Sequence, residues 1–93
     1  MNNVIFKYQI PIQLTSTIHL PKNAEILYVG TQQGSMCIWC LIDEKVGLEP
    51  RQFYLFGTGQ QIERILGYRY VYIGTFKLDN DTLILHLFES VPV

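Results

Sequence analysis

Apolar and polar residues alternate along most of this chain with the period of about two that marks strands. Over residues 4–10, Ile5, Lys7 and Gln9 are set against Phe6, Tyr8 and Ile10, and Pro11 ends the strand or marks an edge. Residues 14–20 read as a second strand rich in Thr and Ile, ending at Pro21, and 22–24 as a turn. A long hairpin follows, 25–32 and 35–43 about a tight Gln33-Gly34 turn. If that turn has two residues, Tyr28 faces Trp39, and Ile26, Tyr28, Trp39 and Leu41 share one side. Leu27, Val29, Ile38 and Cys40 then share the other. Both sides are apolar, so both are expected to be covered, in a barrel, a sandwich or an oligomer interface.

Residues 44–48 form a polar loop, and 49–56 a fifth strand that Gly57-Thr58-Gly59 breaks. Residues 60–66 allow two readings. Two turns of helix would share Ile62, Ile65 and Leu66 on one face before Gly67; the alternative is an extended loop. A second hairpin, 68–77 and 82–89, turns at Asp79-Asn80-Asp81. The pattern predicts an all-β, mainly antiparallel fold: a small barrel or sandwich of six to seven strands with at most one short helix. It makes one domain over 1–93.

The two hairpins open alike: Tyr28-Val29-Gly30-Thr31 returns as Tyr72-Ile73-Gly74-Thr75. Glycine packs poorly inside a strand, so each copy points to a bulge or to a close approach of something to the backbone.

Composition narrows the classes. A hydrophobic fraction of 48% against 16% charged opposes disorder, and it leaves too little polar surface for a lone small domain. A homo-oligomer is therefore expected. A net charge of −1 gives no basic face for nucleic acid, and no apolar run is long enough to span a membrane. Met1-Asn2-Asn3 leads straight into a strand without a signal-peptide pattern, so a cytosolic location is expected.

Candidate chemistry is sparse. Cys37 and Cys40 have C-x-x-C spacing, but they lie on a strand without a second cysteine pair and read as buried structural thiols. His19 and His86 sit among apolar strand neighbours, more suited to structure than to catalysis, and no set of metal ligands clusters. The acidic groups Asp43-Glu44 and Asp79-Asn80-Asp81 fall on turns, where they accept local backbone bonds. No cofactor is expected, and the chain reads as a non-enzyme.

What remains is a ligand-binding pattern. Thr58, Gly59 and Gln60 could offer backbone and side-chain donors to a phosphate, or form a plain turn. Arg51, Arg64 and Arg69 stand near that loop in sequence and suit phosphate contacts, against the alternative of three solvated surface arginines. Of the aromatics, Phe6, Phe53, Phe56 and Phe88 are assigned to the core, while Trp39 and Tyr54 are candidates for a stacking wall.

Several segments in order carry a resemblance: Lys7-Tyr8-Gln9-Ile10-Pro11, Ile18-His19-Leu20-Pro21, Ile38-Trp39, Phe56-Gly57-Thr58-Gly59, Tyr72-Ile73-Gly74-Thr75 and His86-Leu87-Phe88-Glu89. Together they resemble a family of small tailed-phage proteins of similar length, mostly uncharacterised. Phage β proteins of this kind resemble the Sequestin and Lockin sponges, oligomers that hold cyclic ADP-ribose-type immune signals. That resemblance implies an anti-defence protein in the host bacterial cytoplasm that binds a small nucleotide-derived ligand without cleaving it. The alternatives are a protein–protein inhibitor of a host defence enzyme and a minor structural phage protein. The stretch 63–69 is longer and more basic than the family pattern.

Overall fold

Gln33 and Gly34 both take positive φ, 51° and 81°, the pair of left-handed residues that a two-residue type I′ hairpin turn requires. That turn joins β3 (Glu25–Gln32) to β4 (Ser35–Asp43), and it sets Tyr28 directly opposite Trp39, as the alternation predicts. The computed structural model describes residues 3–93. The remaining strands are β1 (Asn3–Gln9), β2 (Thr15–Pro21), β5 (Leu48–Gly57), β6 (Tyr68–Leu78) and β7 (Leu83–Pro92). They form two sheets, β1-β4-β3 and β2-β5-β7-β6, and every neighbouring pair is antiparallel.

The sheets pack face to face as a small sandwich. Met36, Ile38, Cys40 and Ile42 of β4 meet Phe53 and Leu55 of β5, Leu87 of β7, and Phe76 and Leu78 of β6. Ile10, Leu20 and Ala24 close the core at the strand ends. The thinnest dimension of the Cα trace is 16 Å, as expected of two sheets about 10 Å apart. Among the described residues no helix is long and apolar enough to cross a membrane.

Three expectations need correction. A bulge between Ile26 and Tyr28 shifts the β3 register, so Ile26 pairs with Cys40 and packs on the core rather than beside Tyr28. Leu27, the residue the bulge leaves over, is exposed. Phe6 also leaves the core: on the edge strand β1 it is 45% exposed. The outer face of the three-stranded sheet is open in the single chain, with Tyr28 and Ile5 exposed, which leaves an oligomer interface as the covering expected for it.

Cys37 and Cys40 are both buried and unpaired, and only Cys40 belongs to the core cluster. Burial pushes the Cys40 thiol up to about 11.

Candidate functional site

β5 and β6 lie on either side of β7 and run parallel to each other, so the chain must recross the sheet between them. The registers Gly57↔Leu85 and Tyr68↔Pro92 put the ends of that crossing about 24 Å apart along β7 at ordinary strand spacing. A helix over 60–66 would cover only about 10 Å. Residues 58–67 accordingly run as an extended strap, the loop reading of the sequence.

The strap crosses a floor of rings. Alternation on β5 sends Phe53 and Leu55 inward and Tyr54 and Phe56 to the outer face. Tyr70 of β6 meets both rings edge-on, with centroids 5.2 Å from Tyr54 and 5.7 Å from Phe56. Phe88 of β7 adjoins Phe56 and Tyr70, and Tyr72 extends the row past Phe88. Phe56 and Phe88 thus belong to this outer cluster and not to the interior between the sheets, although Phe56 is itself buried.

Two local ties hold the strap. The Tyr70 hydroxyl donates to the Glu63 carbonyl at 2.9 Å, which clamps the middle of the strap to β6. Desolvation, aided by Tyr54 and Glu63, raises the Tyr70 phenol above its ordinary pKa. At the start, the Gln60 amide N–H donates to the Gly57 carbonyl, and the Gln60 side chain accepts from the Gly57 N–H at 2.9 Å. Gly59, at φ 85°, supplies the left-handed residue of that turn.

The Thr58 hydroxyl meets His86 Nε2 at 2.8 Å, and Thr75 meets His86 Nδ1 at 3.0 Å. Tyr72 then bonds Thr75. This chain of hydroxyls about an imidazole includes no carboxylate; it fastens the strap's first residue to β6 and β7.

Between strap and sheet lies a cleft of about 460 Å³ lined by Leu14, Tyr54, Phe56, Gln60, Gln61, Glu63, Arg64, Ile65 and Tyr70. Three of the eight sequence candidates meet here: Tyr54, Gln60 and Arg64. Thr58 and Gly59 form the adjoining turn, with the Thr58 hydroxyl already engaged by His86. Arg64 is exposed and makes no side-chain hydrogen bond or ion pair among the described residues.

The other three candidates lie elsewhere. Arg51 lines a second cavity of about 530 Å³ at the opposite end of β5, but three of its five N–H donors are already engaged. Nε and Nη2 reach the two Glu89 oxygens at 2.7 and 2.9 Å, and Nη1 reaches the Ala24 carbonyl at 2.6 Å. Those bonds to Glu89 hold the guanidinium still more firmly protonated. The pair fixes β5 to β7, and Ala24 ties in the turn before β3.

Arg69 is exposed and adjacent to Tyr70, but alternation turns it to the other side of β6. Trp39 stands half-buried on the outer face of the other sheet, tilted against Tyr28 with ring centroids 5.8 Å apart. The sequence candidates missed Phe56, Gln61, Glu63 and Tyr70. Their signal was the every-second-residue spacing of rings in Tyr54/Phe56 and Tyr70/Tyr72.

The architecture is thus a β-sandwich with an aromatic cleft under a crossing strap. Among the described residues no cluster of His, Cys, Asp and Glu could hold a metal ion. The chain belongs to the family described as domain of unknown function DUF7352, whose model matches residues 1–93. No curated protein and no solved structure matches it significantly.

Proposed function

We propose that this protein captures a small phosphorylated ligand bearing an aromatic base in the cleft beneath the strap, and holds it without turnover. The observation that supports this reading is the convergence of Tyr54, Phe56 and Tyr70 with Gln60, Gln61 and Arg64 around one cleft. Its volume falls within the range of about 300–1,000 Å³ usual for small-molecule sites. A base stacked on an exposed ring gains about 1–3 kcal/mol, and two glutamine amides can read its edge. Arg64 offers a forked donor to a phosphate, while the neighbouring Glu63 carboxylate accepts from ribose hydroxyls. With one cation and one carboxylate on the wall, the cleft favours a ligand that presents a single phosphate group to it.

Within this class, the resemblance to phage sponges selects nucleotide-derived immune signals of the cyclic ADP-ribose type as the first ligands to try. Sequestration needs affinity and no chemistry, which such a wall supplies by stacking and charge-assisted hydrogen bonds.

The test is calorimetry of the whole chain against mononucleotides, cyclic dinucleotides, ADP-ribose and its cyclic forms. One or more should bind, be released intact as judged by mass spectrometry, and lose about tenfold or more in affinity with Arg64→Ala or Tyr54→Leu. No binding by any compound, or binding that both variants leave unchanged, would discard the cleft as the site.

A further inference from the structure

The outer face of the three-stranded sheet has no strap. Register places its side chains in rows across the strands: Ile5, Leu41 and Glu25 in one, Lys7, Trp39 and Tyr28 in the next. Ile5 is 59% and Tyr28 66% exposed, and Trp39 and Leu41 are half-buried between them. These four make one continuous apolar block, which a small isolated domain has reason to cover. Its two charged residues, Lys7 and Glu25, are rooted at diagonally opposite corners. In the single chain the Lys7 side chain reaches across the sheet to Gln32 of β3 at 2.5 Å, a contact it gives up for Glu25 of a second copy, and Glu25 makes no ion pair among the described residues.

That diagonal is what an isologous contact requires, since one patch must complement itself under a twofold rotation. At ordinary sheet spacings Lys7 and Glu25 lie about 12 Å apart, on either side of the midpoint between Trp39 and Leu41. A twofold axis in the plane of contact, perpendicular to that diagonal, exchanges them. Lys7 then falls over Glu25 of the second copy, Trp39 over Tyr28, and Ile5 over Leu41. Rings meet rings, aliphatics meet aliphatics, and each charge meets its opposite. Asn3, Asp43, Gln9, Ser35 and Gln32 share this face and supply the polar rim of an ordinary interface.

We infer that this face is the interface of a homodimer, with Lys7 and Glu25 paired twice across the axis. The inference is independent of the cleft, which lies on the outer face of the other sheet. Sedimentation equilibrium of the whole chain tests it. The wild type is a dimer; Lys7→Glu or Glu25→Lys each raises its dissociation constant roughly tenfold, because every substitution acts at two symmetric places. The double exchange K7E/E25K restores dimerisation. Tyr28→Ser, at an exposed position that folding tolerates, also weakens it. A monomeric wild type would overturn the inference. So would a dimer indifferent to all these changes, which would place the contact on another surface, or single-variant losses that the double exchange does not repair.

Discussion

The two copies of the repeated tetrapeptide, Tyr28-Val29-Gly30-Thr31 and Tyr72-Ile73-Gly74-Thr75, each lie on the first strand of a long antiparallel hairpin, yet their glycines answer to different neighbours. A methyl group on Gly74 would sit 2.2 Å from Val29 Cγ2, far inside any tolerable contact. Val29 comes from the other copy: β3 and β6 approach at one corner of the sandwich, and the first repeat's valine fills the space the second repeat's glycine leaves. A bulge between Tyr72 and Gly74 aims the strand at this meeting. On Gly30 the nearest atoms a methyl group would meet all belong to the Tyr28 ring, the closest at 2.8 Å, the far end of a side chain mostly exposed in the single chain. Identical letters therefore mark an intersheet fit in one place and a movable neighbour in the other.

The largest expected effect is at the fit. Gly74→Ala should destabilise by about 3 kcal/mol in chemical denaturation, the upper part of the usual cost of overpacking. Val29→Ala in the same chain should return at least ~1 kcal/mol of that, the coupling expected of touching residues. Simple additivity of the two would show that the glycine is not answering to the valine.

A middle-sized effect belongs to the first hairpin alone, which buries the Cys40 thiol in the core. The Cys40 pKa is raised from 9.0 to about 11, chiefly by burial. Below pH 9 folded and unfolded states both keep the proton. Between about 9 and 11 only the unfolded state gives it up, so this contribution to stability is lost as pH rises through that window. Denaturation midpoints should fall more steeply over it in the wild type than in Cys40→Ala, and parallel curves would remove the thiol from the explanation.

The smallest effect belongs to Gly30. Gly30→Ala should change stability by no more than about 1 kcal/mol, because ring displacement is offset by lower unfolded-state entropy. A loss as large as that at Gly74 would end the contrast between the copies.

Legibility in the sequence followed the range of the forces. The first hairpin was readable residue by residue, since a two-residue turn and period-two alternation are local and fix which side chains face each other. Ile26 escaped because one bulge reverses the alternation N-terminal to it. The cleft was half readable. Tyr54, Gln60 and Arg64 cluster because they flank one loop, but Arg51 is claimed by Glu89, a partner 38 positions away that no local pattern announces. Phe56 and Tyr70 became cleft residues only once β7 had inserted between their strands and forced the strap across them.

Composition and periodicity by themselves determined that this chain is an all-β domain with two long hairpins and an apolar excess to cover, because burial and backbone pairing act through spacing along the chain. The pairing of strands into sheets decided which arginine is free, which rings are floor and which are filling, and why Gly74 must stay bare. Those outcomes depend on what stands across the sheet or across the sandwich, and long-range neighbours are set by topology rather than by adjacent residues.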